Sequence, residues 1–337
     1  MDFEALKLKY EKKNVIEYPN QVDGRQVVSV CVQTYQHEPY IRQCLDGILM
    51  QVTNFNFEIL IGEDGSNDGT REICLEYAKK YPGKIKLFLH HRENNIYIDG
   101  KPTGRFNFLY NLYSAKGKYL AICEGDDYWI DPNKLQKQVQ FLENNGGEYV
   151  GVYTNHKICD TSGHIVTMRA LKDNQPKFFD RLTIFGKYSS QTLTVVYKNL
   201  ESVKKQLTEF NGFLNADRVL AVLTAQYGKI KFLDFVSGTY RWGSGIHSTK
   251  QEEQKRKGRI ELYKAFKIFF GVHDISERIN IRLNELYMYE IWKAIIRRDW
   301  KSAKYYNSER RKETKKRFMF LLLIKFSYNA LLSKVQR

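Results

Sequence analysis

The chain is poor in proline, carries few cysteines and lacks any long apolar run. Six prolines in 337 residues exclude a Pro-rich linker protein. The five cysteines (Cys31, Cys44, Cys74, Cys123 and Cys159) are odd in number and show no C-x-x-C spacing. That excludes a disulfide framework and a zinc knuckle. Cys31 in VVSVCV and Cys123 in YLAIC lie inside apolar runs, so buried free thiols in a reducing compartment are expected. No stretch reaches the ~20 apolar residues that span a bilayer. The nearest, Phe318–Ile324, is interrupted by Lys325. The N-terminal MDFEALKLKYEKKN is charged and has no apolar h-region, which predicts a chain without a signal peptide and a cytoplasmic location. Internal repeats and low-complexity tracts are absent. So are the G-x-S-x-G, H-E-x-x-H and P-loop patterns.

What is present is a folding composition and an uneven charge. Hydrophobic residues make up 42% and aromatics 14%, including 23 Tyr and 20 Phe, enough to bury a sizeable core. Lys+Arg 54 against Asp+Glu 38 gives a net charge of +16. Residues 250–337 hold 23 of the cations and 10 of the acids, a net +13, which leaves +3 for residues 1–249. Basicity therefore belongs to the C-terminal quarter. A nucleic-acid partner is not expected, because the α/β portion is nearly balanced and no reader motif occurs.

Residues 1–26 are polar and read as an N-terminal arm. From Val27 onward, short β-branched runs alternate with helical periodicity. Strands are expected at 27–32, 57–62, 84–90, 118–123, 148–154 and 192–197. Helices are expected within 38–51 and at 68–81, 106–115, 134–144 and 216–226. Residues 158–190 read as loops, 229–242 as one or two strands, and everything after Gln251 as helix. Such alternation predicts an α/β fold with a mostly parallel sheet covered on both faces. The domain division expected is an arm (1–26), a catalytic domain (27–249) and a basic helical extension (250–337).

In open α/β sheets, ligands bind at the carboxyl ends of the strands. There the sequence places Thr34-Tyr35-Gln36, then Glu63-Asp64-Gly65-Ser66-Asn67-Asp68, then Glu124-Gly125-Asp126-Asp127. Carboxylates gathered at one sheet edge are unfavourable unless a cation compensates them. Asp64, Ser66, Asp68 and Asp131 have helix N-capping as an alternative reading. Asp126-Asp127 follow a strand directly and precede an aromatic pair, which points to function instead.

The runs VVSVCVQTYQHEPYIRQCLDGILMQ, FEILIGEDGSNDGTREI and AKGKYLAICEGDDYWIDPNKLQKQ resemble the family 2 glycosyltransferases, over roughly residues 27–245. The resemblance implies the GT-A fold, a nucleotide-diphospho-sugar transferase-like sheet flanked by helices, here with a helical C-terminal extension. It implies transfer of a sugar, with inversion, from a nucleotide diphosphate donor, here a UDP-sugar, to a hydroxyl of a saccharide or lipid-linked saccharide.

The residue roles below are those the resemblance implies. Thr34 and Tyr35 would flank the base, and Gln36 stands where the family usually has Asn. Glu63-Asp64 would match its acidic second-strand motif, Asp64 accepting the base N–H. Asp126 would hold the ribose or support a metal. Asp127 would ligate Mg²⁺ or Mn²⁺. Arg105, in a loop before a helix, would touch the nucleotide. Asp217 would be the catalytic base, with N-capping as its alternative. His247, displaced within Trp242–His247, would be a third metal ligand or a diphosphate contact. The alternatives carried are a sugar-phosphate nucleotidyltransferase, which needs a Gly-rich phosphate loop absent from TYQHEPY, and a non-catalytic sugar-nucleotide-binding homologue. The basic stretch 304–317 and the apolar residues after it predict peripheral membrane contact through 304–334. Packing on the catalytic domain is the alternative there.

Overall fold

The structure, a computed structural model, describes residues 1–171, 175–244 and 252–314. The chain divides into two compact units, residues 1–184 with 188–249, and residues 185–187 with 250–337.

The first unit is built on one large sheet. Its strands are β1 (Ile16–Glu17), β2 (Val28–Thr34), β3 (Phe57–Glu63) and β4 (Ile85–Leu89), then, after a small separate hairpin β5 (Ile96–Ile98) and β6 (Lys101–Thr103), β7 (Tyr119–Ile122) and β8 (Tyr128–Trp129). They continue with β9 (Tyr149–Cys159), β10 (Ile165–Thr167), β11 (Phe178–Phe179), β12 (Val196–Lys198) and β13 (Lys229–Arg241). The order across the sheet is β1-β4-β3-β2-β7-β12-β9-β13-β11, with β8 on β13 and β10 on β9. The pairs β4-β3, β3-β2 and β2-β7 are parallel; Val30 lies opposite both Ile59 and Ala121. β12 runs antiparallel between β7 and β9, and β13 returns parallel to β9.

Helices α1 (Phe3–Tyr10), α2 (Ile41–Leu49), α3 (Thr70–Lys80), α4 (Arg105–Ser114), α5 (Lys134–Asn144), α6 (Glu201–Leu207) and α7 (Ala216–Thr224) complete this unit. The central strands are Val/Ile-rich because both of their faces are covered. Val28, Val30, Val32, Ile59 and Ile61 pack with Ile41, Cys44, Leu45 and Ile48 of α2. All five cysteines are buried and free, as their apolar contexts predict.

Several elements differ from the sequence expectation or extend it. Residues 1–26 are anchored on the sheet: Phe3 stacks on Tyr113, Leu6 is buried, and β1 pairs with the edge strand β4. The expected strand 192–197 begins as a 3₁₀ turn over Thr192–Thr194. There the Trp129 indole N–H donates to the Leu193 carbonyl (2.9 Å) and the Gln138 amide to that of Thr194 (2.8 Å), so neither carbonyl is free for the ladder. β9 runs on to Cys159 and residues 229–241 form one continuous strand, because the two pair in parallel past the end of β12. The stretch 158–190 carries two short strands as well as loops.

The second unit contains α8 (Glu252–Phe270), α9 (His273–Ile296) and α10 (Trp300–Thr314), the helical run expected from the sequence. Among the described residues, no helix is long and apolar enough to cross a membrane.

A buried polar knot fixes the turn into β7. The Glu58 carboxylate, wholly buried, accepts from Ser29 Oγ (2.6 Å), Lys86 Nζ (2.9 Å) and the Lys116 N–H (3.2 Å), and the Gly117 N–H donates to Ser29 Oγ (2.8 Å). A buried charge is tolerable when satisfied in this way. A Cβ on Gly117 would stand 2.5 Å from the Ser29 backbone N and 2.7 Å from the Val28 carbonyl carbon. Gly117→Ala is therefore expected to destabilise the fold by about 1–3 kcal/mol. Chemical denaturation checks this, an unchanged midpoint being the contrary result.

Candidate active site

The strand ends of β2, β3, β7, β9 and β13 meet at one edge of the sheet. The loops leaving β2 and β3 are fastened together by Gln36, which has a left-handed backbone (φ 56°). A non-glycine residue holds that conformation only when its surroundings impose it. Here the Gln36 N–H donates to Ser66 Oγ (3.0 Å), and its Oε1 accepts from the N–H groups of Asn67 (3.3 Å) and Asp68 (3.1 Å). Asp68 accepts from the Glu38 N–H (3.1 Å) and the Thr70 N–H (3.0 Å), which ties the two loops together just ahead of α3. The N-cap itself is Gly69, with no side-chain cap bond, so the capping alternative for Asp68 is corrected.

Glu63 and Asp64 have different surroundings. Glu63 is wholly buried and accepts from the Ser66 N–H (2.7 Å), the Gly65 N–H (3.3 Å) and Arg71. Its carboxylate shapes its own loop. Asp64 is paired with Arg92 and accepts from the Asn95 amide (3.2 Å). Burial raises its pKa to about 6, against the opposing pull of Arg92 and Asn95. The Arg92 guanidinium lies 3.8 Å over the half-exposed Tyr35 ring. Tyr35, Asp64, Arg92 and Asn95 thus form a stacking and hydrogen-bonding corner. Thr34 is buried beneath it, its hydroxyl 3.3 Å from His37 Nδ1.

After β7 the chain turns through Gly125. A Cβ there would stand 2.6 Å from Thr34 Oγ1 and 2.8 Å from His37 Nδ1, so glycine lets this loop close on the β2 loop. Asp126 Oδ2 lies 2.7 Å from the Ser244 hydroxyl, which donates to it, and 3.9 Å from His37 Nε2. Asp127 is buried. Its Oδ1 accepts the Arg241 backbone N–H (2.8 Å), and its Oδ2 has no partner among the described residues. Burial, then Asp126 and Glu124, push the Asp127 carboxyl well above the usual range. Glu124 is pushed up to about 8 by burial, then by Asp126 and Asp217.

Arg241, at the end of β13, straps the loop down. Nε donates to the Asp126 carbonyl (3.0 Å), one terminal N to the Asp160 carbonyl (3.3 Å) and the other to Gln43 Oε1 (2.7 Å), while the guanidinium covers the Tyr40 ring at 4.4 Å.

Asp217 is the second residue of α7 and is exposed. The 3.4 Å contact with the Thr192 hydroxyl is the hydrogen bond seen for its carboxylate, and the helix start has no side-chain cap. Arg105 is not a loop cation: it opens α4, is buried, and donates to the Phe213 carbonyl in the loop before α7. Its Nη1 has no partner among the described residues. Burial lowers its pKa to about 10, against the field of Asp217. His247 lies outside the described residues.

Two carboxylates with one orphaned buried oxygen suit a hard divalent cation that takes its remaining oxygen ligands from a substrate. Among the described residues, no three His, Cys, Asp or Glu side chains form a ready cage. Sequence reasoning missed Arg92, Asn95, His37, Thr192 and Ser244 as site residues. Only Arg241, in a Tyr-Arg pair ending a strand, carried a visible signal.

The family model for glycosyl transferase family 2 matches residues 29–200, and the chain belongs to that family. A Nostoc sp. protein named as an uncharacterized glycosyltransferase is 25% identical over 327 residues, covering 87% of this chain and 94% of its own. An uncharacterized Mycobacterium tuberculosis protein is 44% identical over 116 residues; the match covers 34% of this chain and 31% of that protein's length. Among solved structures, Staphylococcus aureus TarS 1–349 in complex with UDP-GlcNAc is 17% identical with a TM-score of 0.51, covering 87% of this chain and 93% of that one. The fold is thus the GT-A sheet flanked by helices.

Lysine cannot reproduce the planar three-way fork of Arg241. Arg241→Lys is expected to lower the melting temperature and to leave the secondary-structure content intact. Circular dichroism checks both, and an unchanged melting curve would remove Arg241 from its role as a strap.

Proposed function

We propose that the chain is an inverting glycosyltransferase that moves a sugar from a nucleotide diphosphate donor, a UDP-sugar, to a hydroxyl of a saccharide or lipid-linked saccharide. The observation that carries this reading is the Asp126–Asp127 pair at the strand ends, with one buried carboxylate oxygen left without a partner among the described residues. TarS, which shares the fold, has been captured with UDP-GlcNAc and with UDP; the same donor class is proposed here. Catalysis is assigned to residues 27–249.

In this reading Tyr35 and Arg92 receive the base, and Asp64 accepts its imide N–H. Asp126 and Asp127 would hold Mg²⁺ or Mn²⁺, with His247 as a third ligand proposed from the sequence. When bound, the ion neutralises charge on the departing diphosphate. Asp217 takes the proton from the acceptor hydroxyl as its oxygen bonds to the anomeric carbon and the bond to the diphosphate breaks. Attack from the face opposite the leaving group inverts that carbon. The exposure of Asp217 suits a base that must meet an incoming acceptor. Thr192 and the Arg105-bound loop hold it in place.

Asp217→Asn is expected to lower transfer at least about 100-fold. UDP affinity should stay nearly unchanged; its loss would place Asp217 on the donor instead. Thr192→Val is expected to lower kcat more than it raises KM, with Thr192→Ser restoring activity. Asp64 accepts a base N–H more strongly when ionised, and its pKa is raised to about 6. UDP binding should therefore weaken as pH falls through about 6 and level off above it. Titration calorimetry from acid to neutral pH checks this; affinity flat through that range would detach Asp64 from the base.

A further inference from the structure

The +13 of residues 250–337 is not spread evenly over the helices that carry it. The acids of this unit face cations inside it. Glu290 pairs with Arg256, Glu309 with Lys312 and Lys264, and Glu313 with Lys267. Ala303, Tyr306, Arg310 and Thr314, spaced three and four apart, form the buried side of α10.

Its opposite side is different. Trp300, Lys301, Lys304, Tyr305, Ser308 and Arg311 recur at helical spacing and are all exposed, with no acid among them. The turn leading into this face adds exposed Ile296 and Arg298. Asp299, the acid of that turn, accepts the Ser302 N–H (3.0 Å) and caps the helix. Ile296, Trp300 and Tyr305 are 60%, 61% and 59% exposed. Large apolar side chains left in water within a cationic patch mark an interaction surface.

We propose that this face of α10, with the turn before it, docks on a bilayer carrying anionic phospholipid. Trp, Tyr and Ile enter the headgroup boundary, and Lys301, Lys304, Arg298 and Arg311 meet the lipid phosphates. The aromatic and aliphatic members favour a lipid surface over a nucleic acid, which would use the cations and leave Ile296 and Trp300 in water. The sequence-level expectation of contact through 304–334 lies mostly outside the described residues. The contact proposed here starts upstream of that stretch, on a face that begins at Ile296. The inference stands apart from the transfer reaction, and either can fail without the other.

The test is co-sedimentation of the full chain with vesicles of phosphatidylcholine alone and with added phosphatidylglycerol. Binding is expected only to the second, and to weaken with salt. Each surface cation is worth roughly five-fold in partitioning, so Lys301→Gln with Lys304→Gln should weaken binding by about thirty-fold. Trp300→Ala should weaken binding to a degree that salt does not alter. These positions are exposed, and an unchanged melting curve shows that each variant still folds. No preference for the anionic vesicles would overturn the proposal. So would variants that bind like the unaltered chain, or tight DNA binding at physiological salt without vesicle binding.

Discussion

The structure depends on one carboxylate. Asp127 is carried into the turn after β7, buried, and among the described residues given a partner for one oxygen only, the backbone N–H of Arg241. Desolvation alone would protonate such a group or move it. It stays because Arg241 binds the same loop at the Asp126 carbonyl, reaches Gln43 in α2's first turn, and lies over Tyr40. The long strand β13 puts Arg241 there, which explains why a strand running the length of β9 belongs to the site rather than to the periphery.

The rest of the edge is arranged in two halves around that point. On one side, Gln36 joins the β2 and β3 loops through Ser66, Asn67 and Asp68, and the corner of Tyr35, Asp64, Arg92 and Asn95 rests on it. On the other side, Trp129 and Gln138 hold the turn over 192–194, whose Thr192 reaches Asp217. Lys134 supports both anchors, bonded to Gln138 at 2.7 Å and lying 4.1 Å over the Trp129 ring. The corner proposed for the donor and the candidate base are therefore positioned by separate polar networks, each rooted in the core.

Much of this was legible in the sequence because it is local. The β-branched runs, the helical spacing of Ile41, Leu45 and Ile48, and the acids following the strands are short-range signals, and they located the sheet edge. What was not legible depends on partners distant in the chain. Residues 192–194 carry strand composition, yet Trp129 and Gln138 take their carbonyls. Glu63 and Asp64 are neighbours in one motif, but Arg71 and Arg92 give them different tasks. Arg105 reads as a loop residue placed to touch the nucleotide until it is seen buried at the start of α4, donating to the Phe213 carbonyl. Phe3 and Leu6 look like part of a polar arm until Tyr113 and the sheet edge are in place.

Charge separates the two units as clearly as topology does. The first unit is nearly neutral and concentrates acids at one edge, whereas the C-terminal helices pair many of their acids and leave surplus cations exposed. The first arrangement is the basis for proposing a cation between protein and donor. The most direct measurement is the melting temperature of the full chain with UDP, with and without Mn²⁺, in the unaltered protein and in Asp127→Asn. The account predicts that UDP stabilises the unaltered protein strongly only when Mn²⁺ is present, and that Asp127→Asn loses the metal-dependent part. Equal stabilisation without metal, or metal dependence that survives in Asp127→Asn, would contradict it.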